Sequence, residues 1–178
     1  MFRIFVAHGD DHVLRVLEIA RFIALKEGAD IEIVSKAALL HDSFRNEEKH
    51  ALKAADFARK VLREEGYGEE FIEAVAHAIE AHSFSGKMEP RTLEAKVLSD
   101  ADKLDAIGAM GVARAFIVAG EKGRSIEETV KHFEEKLLKL KDLLYTDTAK
   151  KLAEKRHEFL KKFYEEIKRD LEFEDLRN

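Results

Sequence analysis

The stretch Leu39-Leu40-His41-Asp42-Ser43-Phe44-Arg45 lies at the end of a predicted helix that begins near Ile31. Up to Leu40, apolar residues recur at the spacing of a buried helix face. His41 and Asp42 then stand side by side where packing alone would favour apolar residues. Because neighbouring residues at a helix end can reach one point in front of it, an imidazole nitrogen and a carboxylate oxygen there suit a divalent cation. The alternative is that His41 starts a turn and Asp42 solvates the helix end.

The composition restricts the classes of protein that the chain can represent. Its 178 residues are enough for one domain with a sizeable core, and one Pro and nine Gly argue against a β-rich fold. Acidic and basic residues are interleaved with a net charge of −5, which gives no sign of nucleic-acid binding. No apolar run is long enough for a membrane span or a signal peptide. We therefore expect a cytoplasmic protein. The chain contains no Gln and no Cys, which is typical of thermophile proteins.

Helical patterns follow one another along the chain with short connections. They predict an all-α array of about seven helices in one domain over residues 1–178, with a motif core at about 8–120 and C-terminal helices at about 125–171. The predicted helices run from Asp10 or Asp11 to near Gly28, from Ile31 to Asp42, from about Asn46 to Glu65, from Glu69 to about His82, from Thr92, from Ser125 to about Leu144, and from Thr146 or Asp147 to about Leu171.

Two local signals accompany this helical pattern. Ser125 with Glu128 three residues later indicates a capping box at a helix start. Gly108 and Gly111, set among small residues, indicate close backbone approach there.

Four polar residues occupy positions that the helical pattern otherwise gives to the core: His12, His41, Asp42 and Asp102. They come from three different predicted helices. If these helices converge, two imidazole nitrogens and two carboxylates form a metal site with space left for water. Spacing alone does not establish the convergence.

Three segments resemble the motifs of the HD-domain metal-dependent phosphohydrolases: Asp11-His12-Val13-Leu14-Arg15-Val16, Leu39-Leu40-His41-Asp42 and Asp100-Ala101-Asp102-Lys103-Leu104-Asp105. The chain is most similar to the small stand-alone bacterial and archaeal hydrolases of that superfamily. The likeness runs from His8 to about Ile167 and includes residues 81–85, 108–114, 136–140 and 153–159. One departure is Gly9, where many relatives carry Asp.

The resemblance implies a helical array around one divalent metal ion (Mn, Co, Ni, Fe, Zn or Mg) held by His12, His41, Asp42 and Asp102. It also implies hydrolysis of phosphate esters or anhydrides, with a nucleotide as the small-molecule substrate and no nucleic acid or membrane as partner. Guanidinium and ammonium groups neutralise phosphate, so basic residues near the metal ligands are expected at the site. We divide the expected site residues into a catalytic set and a substrate-contact set. Asp42, Arg45, Lys103 and Asp105 are assigned to catalysis, and Arg15, His50, His77 and His82 to substrate contact.

Several of these assignments have alternatives. Asp105 either orients a metal ligand or water, or is a surface charge on its helix. The basic residues are alternatively solvated surface charges, and His50 and His82 either line the substrate pocket or are structural. His132 and His157, on strongly charged helices, are expected to take no part in catalysis.

The number of metals leaves other functions open. In two-metal HD phosphodiesterases, further histidines between the His-Asp pair and the last Asp hold a second ion, and His77 does not exclude this. Such a protein would act on cyclic nucleotides or dinucleotides. A di-iron oxygenase and a non-catalytic nucleotide sensor are the remaining alternatives. Metal stoichiometry, oxygen consumption, and saturable binding without turnover separate the three.

Overall fold

The computed structural model describes residues 10–45, 47–83 and 88–177. These residues form helices and connecting turns, with no β-strand among them, which confirms the all-α prediction. The eight α-helices are α1 (Asp10–Glu27), α2 (Ile31–Leu40), α3 (His50–Glu64), α4 (Glu69–Ala81), α5 (Leu93–Asp105), α6 (Gly108–Glu121), α7 (Ile126–Glu135) and α8 (Asp147–Leu171). Two 3₁₀ segments, Leu137–Leu143 and Glu174–Leu176, flank α8. None of the helices in the described ranges is both long and apolar enough to cross a membrane.

Helix α5 lies at the centre of the packing. It contacts α1, α2, α4, α6 and α8, and its side chains Val97, Leu98, Ala101 and Leu104 are fully buried. The helices around it present many alanines to the core, including Ala54, Ala55 and Ala58 on α3. Small side chains let helix axes approach closely, so the elements that carry the polar residues are held at short range.

Four helix starts follow capping signals in the sequence. The side chain of Asp30 accepts hydrogen bonds from two backbone amides in the first turn of α2, and the Thr92 hydroxyl accepts one from the Ala95 amide of α5. The predicted capping box of Ser125 and Glu128 is confirmed at α7. Between the two candidates for α8, the cap is Thr146.

The entry to α3 differs from the prediction. That helix begins at His50, not near Asn46, which lies outside the described residues. After α2 the chain makes successive turns, in which the Ser43 amide donates to the Leu40 carbonyl at 3.3 Å and the Arg45 amide to the Asp42 carbonyl at 3.1 Å. The Ser43 hydroxyl also donates to the Leu40 carbonyl, which satisfies the end of α2 locally.

The C-terminal part also differs from the prediction. Residues 108–121, to which no helix was assigned, form α6. The helix predicted from Ser125 to Leu144 ends at Glu135, where Lys136 leaves helical geometry with φ −132° and ψ −61°. The 3₁₀ segment that follows buries Leu137 and Leu140. Residues three apart eclipse in a 3₁₀ helix, so this segment brings both leucines onto the core.

The corner between α5 and α6 explains the two glycines. A Cβ on Gly111 would lie 2.2 Å from the Ala106 carbonyl oxygen, so any other residue would force the backbone to shift. Gly108 has φ +76° and packs against the Arg156 side chain of α8. The predicted close approach is therefore confirmed, and it lets α6 turn back beside the C-terminal end of α5.

Asp100 ties α5 to the start of α8. Its fully buried carboxylate accepts from the backbone amides of Tyr145 and Thr146 and from the Thr146 hydroxyl, at 2.8–2.9 Å for the shortest contact of each donor. The first acidic residue of the segment 100–105 is thus structural, and this fixes the rotation of α5 that turns Asp102 and Asp105 towards α1.

Candidate metal centre

Side chains from α1, from the turn after α2 and from α5 lie close together. His12 Nε2 on α1 lies 3.3 Å from Asp42 Oδ2 and 3.6 Å from Asp102 Oδ1 on α5. His41 Nε2, just past α2, lies 3.8 Å from Asp42 Oδ1. One possible ligand atom from each of His12, His41 and Asp42 falls within 4.8 Å of the others. Two imidazole nitrogens and the Asp42 carboxylate, with Asp102 beside His12, are donors that divalent transition metals accept.

The tautomers of the two histidines direct their Nε2 atoms to this centre. His41 Nδ1 lies 2.7 Å from the Ala38 carbonyl oxygen, which can only accept, so Nδ1 carries the proton. His12 Nδ1 likewise donates to Asp105 Oδ2 at 2.8 Å. His41 Nε2 is buried and has no hydrogen-bond partner in the described part of the chain. A buried lone pair without a hydrogen-bond donor costs free energy, and a cation at the centre would accept the lone pair of His41 Nε2. His41 and its neighbours therefore fit a metal ion.

The ionisation states suit cation binding. Burial lowers the pKa of His41, which keeps the imidazole neutral at neutral pH. Burial raises the pKa of the Asp102 carboxyl, but the charges of His82, His41 and His12 outweigh it and lower the pKa to about 2. Burial also opposes protonation of His12, but its hydrogen bonds to Asp105 and Asp42 raise its pKa. The anionic partners of His12 therefore favour positive charge at this point.

A second group of possible ligands shares Asp42 with the first. Ligand atoms of Asp42, His50 and His82 also lie within 4.8 Å of one another. His82 is fully buried, its Nδ1 donates to the Ile79 carbonyl oxygen at 2.5 Å, and burial lowers its pKa to about 4. The Nε2 atoms of His50 and His82 are buried without hydrogen-bond partners in the described ranges. His77 is in neither group, and its Nε2 accepts from the Arg91 backbone amide at 3.2 Å.

Asp105 lies behind His12 and is 1 % exposed. Its Oδ1 accepts from Arg15 Nε at 2.8 Å, and its Oδ2 accepts from His12 Nδ1 and, at 2.6 Å, from Arg114 Nη1. Burial raises the pKa of this carboxyl, but the hydrogen bonds of His12 and Arg15 and the charge of Arg114 hold it well below its usual range. Asp105 is thus buried and ionised, not a surface charge.

Arg45 and Lys103, the other two basic residues predicted at the site, make different contacts. Arg45 Nη1 donates to Asp42 Oδ1 at 3.3 Å. Lys103 is 6 % exposed and its Nζ donates to Ser99 Oγ at 2.5 Å, over the ring of Tyr145. Burial lowers the pKa of Lys103 while the charges of Asp100 and Asp102 oppose this.

A cavity of about 290 Å³ opens beside Asp102. Its polar lining is mostly basic and comes from the turn after α2, from α6 and α7, and from the connections that follow these two helices: Arg45, Arg114, Lys122, Arg124, His132 and Lys136, with Glu121 as the acidic member beside Asp102. A dense set of cations in a concave site favours a polyanionic ligand. His132, expected to have no catalytic role, is part of this lining.

Arg114 and Lys136 also line this cavity, although the sequence pattern did not place them at the site. Both lie in segments where the resemblance was noted, but no spacing rule links them to the His-Asp pair. Burial lowers the pKa of each. A basic residue at a buried helical position was the available signal, and it applies to Arg114, which is 9 % exposed.

Comparison with known proteins agrees with this geometry. Residues 9–107 match the HD domain family. Over 179 aligned residues the chain is 41% identical to the uncharacterized protein YpgQ of Bacillus subtilis (strain 168), covering 92% of this chain and 84% of that protein. The crystal structure of Bacillus subtilis YpgQ in complex with ADP has a TM-score of 0.78 at 37% identity, covering 94% of this chain and 91% of that one.

A second solved structure of similar fold is that of a hydrolase. The HD-superfamily hydrolase from Bacillus thuringiensis has a TM-score of 0.71 at 37% identity, covering 93% of this chain and 87% of the other. The family match spans more than half of the chain, and the fold and the grouped His and Asp side chains accord with it. The chain belongs to the HD-domain family of metal-dependent phosphohydrolases.

Proposed function

We propose that this phosphohydrolase acts on nucleotides, and that His12, His41, Asp42 and Asp102 hold its divalent ion. The observation that carries the proposal is the position of Asp102, which lies beside His12 and also lines the basic cavity. A phosphate chain in the cavity would therefore reach the proposed metal ligands. The YpgQ structure with ADP supports a nucleotide as ligand. A nucleotide carries its negative charge at one end, which matches a cavity whose cations are gathered on one side of the centre.

The bound ion would lower the pKa of a water molecule and polarise a phosphoryl oxygen. The chain supplies the other functions. Arg45 and Lys136 line the cavity and would neutralise phosphate oxygens, and the fork of Arg45 suits two oxygens at once. Asp42 lies where both ligand groups meet, so its carboxylate is placed to accept a proton from water at the centre.

Lys103 and Asp105 act at the edge of the centre in this proposal. Lys103 holds Ser99, whose hydroxyl donates to the His82 carbonyl oxygen at 3.2 Å, so Lys103 orients the end of α4 and adds positive charge beside Asp102. Asp105 fixes the His12 tautomer through Nδ1. Arg15 contacts Asp105 and lines a separate groove with Leu14 and Met110, so its contact with substrate would be indirect.

A two-metal phosphodiesterase is the second candidate function, and the Asp42–His50–His82 group favours it. The two candidates differ in stoichiometry. One ion per chain supports the first, whereas two ions per chain, with one lost in His82→Ala but retained in His77→Ala, support the second. His77→Ala is the matched control because His77 lies on α4, the helix that His82 caps, and is outside both groups.

The test is metal analysis followed by a phosphate-release screen of nucleotides with Mn, Co, Ni, Mg and Zn. We expect about one ion per chain and release of phosphate or pyrophosphate from a subset of nucleotides. Asp42→Ala should lose both metal and turnover, while Ser43→Ala, its exposed neighbour, should retain both. Saturable nucleotide binding without turnover under any metal would support the sensor, and iron with oxygen consumption the oxygenase.

A further inference from the structure

We infer that Asp105 is a positioning residue that holds His12 and Arg114 on one carboxylate oxygen, and that Arg114 contacts the phosphate of the substrate. This inference rests on the proposed function, since it places a phosphate group in the basic cavity. It transfers the substrate contact first assigned to Arg15 to an arginine that is 99 residues further along the chain.

The first observation is the arrangement on Asp105 Oδ2. His12 Nδ1 lies 2.8 Å from this atom and Arg114 Nη1 lies 2.6 Å from it. Arg114 Nη1 also lies 3.4 Å from the Asp105 backbone carbonyl oxygen. With a side chain only 1 % exposed, Asp105 is shielded from water, so these contacts are not screened as surface ion pairs are. The position of His12 and that of Arg114 are therefore linked through one buried carboxylate.

The second observation is the position of Arg114 at the cavity. Arg114 lines the cavity together with Asp102, Arg45 and Lys136. A guanidinium has five N–H donors in a rigid fork, so one edge can serve Asp105 while another serves a phosphate oxygen. A positively charged group already oriented by a buried carboxylate loses little side-chain freedom when the ligand arrives, which favours binding.

Arg15 provides an internal comparison. It donates to the same carboxylate, from Nε to Oδ1 at 2.8 Å and from Nη2 to Oδ2 at 3.3 Å. It lines the other groove, where Leu14, Ile19, Met110 and Arg156 are its neighbours, and it is absent from the lining of the basic cavity. Arg15 and Arg114 thus share Asp105 but face two different surfaces. Loss of either arginine removes a contact with Asp105, but only the loss of Arg114 removes a cation from the cavity.

The experiment measures binding of two probes by calorimetry: Mn²⁺ alone, and inorganic pyrophosphate to the Mn²⁺-loaded protein. Arg114→Gln should lower the affinity for pyrophosphate at least tenfold while Mn²⁺ affinity changes less than about threefold. Arg114→Lys, which keeps the charge without the fork, should recover only part of the loss. Arg15→Gln, which also loses a contact with Asp105 but lies outside the cavity lining, should lose less pyrophosphate affinity than Arg114→Gln. Asp105→Asn should lower both affinities, that for Mn²⁺ by about 10–100-fold as for other residues that orient a ligand.

Equal pyrophosphate affinity in Arg114→Gln and Arg15→Gln would overturn the substrate contact. Unchanged affinity for both probes in Asp105→Asn would overturn the positioning role. If Arg114→Gln does not fold, the comparison of Arg114→Lys with Arg15→Lys decides the same question. Neither probe requires turnover, so a protein that binds both as expected but hydrolyses no nucleotide would contradict the proposed function and leave this inference supported.

Discussion

Removal of the metal should destabilise the protein through repulsion between Asp42 and Asp102. Both carboxylates face His12 Nε2, at 3.3 and 3.6 Å, so their nearest oxygens are within about 7 Å of each other. A bound cation offsets this repulsion, and chelation restores it. Asp102→Asn removes one of the two charges, so the metal-free variant should lack the repulsion present in the metal-free wild type.

The magnitude follows from the distance and the dielectric. Two unit charges at about 7 Å repel by roughly 2 kcal/mol at an effective dielectric of about 20. Asp102 is partly exposed and protonation of His12 offsets part of the repulsion, so about 1 kcal/mol is the expected gain in the metal-free Asp102→Asn protein. Independently, a metal at a hundredfold excess over its dissociation constant stabilises the native wild type by about 2.7 kcal/mol. For a chain of this size, that corresponds to a melting temperature about 5–10 °C higher.

The assay is differential scanning calorimetry of the wild type and Asp102→Asn, each with Mn²⁺ and with chelator, at pH 8. The wild type should lose about 5–10 °C on chelation, and Asp102→Asn should lose less than about 2 °C because one ligand is absent. Asp142→Asn, which removes one exposed carboxylate outside the centre, should behave as the wild type. Equal melting temperatures for the wild type with and without metal would refute the shared site.

Three further predictions concern the framework and the cavity. Asp100→Ala should lower the free energy of unfolding by about 3 kcal/mol in urea titrations, because three donors at the start of α8 lose a buried charged acceptor. Gly111→Ala should cost about 1–3 kcal/mol because its Cβ meets the Ala106 carbonyl, whereas Gly120→Ala, with open space around it, should not destabilise. Arg45→Ala should retain Mn²⁺ in elemental analysis and lower kcat/KM at least tenfold; full catalytic efficiency would contradict its assignment to phosphate.

The helical fold was predictable because the local signals agree with the packing. Apolar residues recur at helical spacing through α1, α2 and α4, and the bounds of these helices fall within one or two residues of those expected. Caps such as Thr146 defined the starts, since a side-chain oxygen before a helical run satisfies its first amides. Two disagreements have tertiary causes. Helix α6 starts with glycines and is stabilised by the close contact at Gly111, and the break at Lys136 serves the burial of Leu140.

The candidate site was predictable where residue type and position conflict. A histidine or aspartate at a core position, as at His12 and Asp102, is informative because burying a polar group without a partner is costly. The cavity was not predictable in this way. Its lining cations lie among 31 basic residues, and their grouping depends on the turn of α6 beside α5. The second ligand group depends on the position of His50 at the start of α3. That position is set by the turns after α2, which the helical pattern did not predict.

Anomalous diffraction from crystals grown with Mn²⁺ tests the central claim most directly, because it locates the ion and its ligands in one measurement. The account predicts a peak bonded to His12 Nε2, His41 Nε2 and carboxylate oxygens of Asp42 and Asp102. A peak at Asp42, His50 and His82 in addition would identify the two-metal candidate. Fully ordered side chains with no peak among His12, His41, Asp42 and Asp102 at saturating Mn²⁺ would contradict the account.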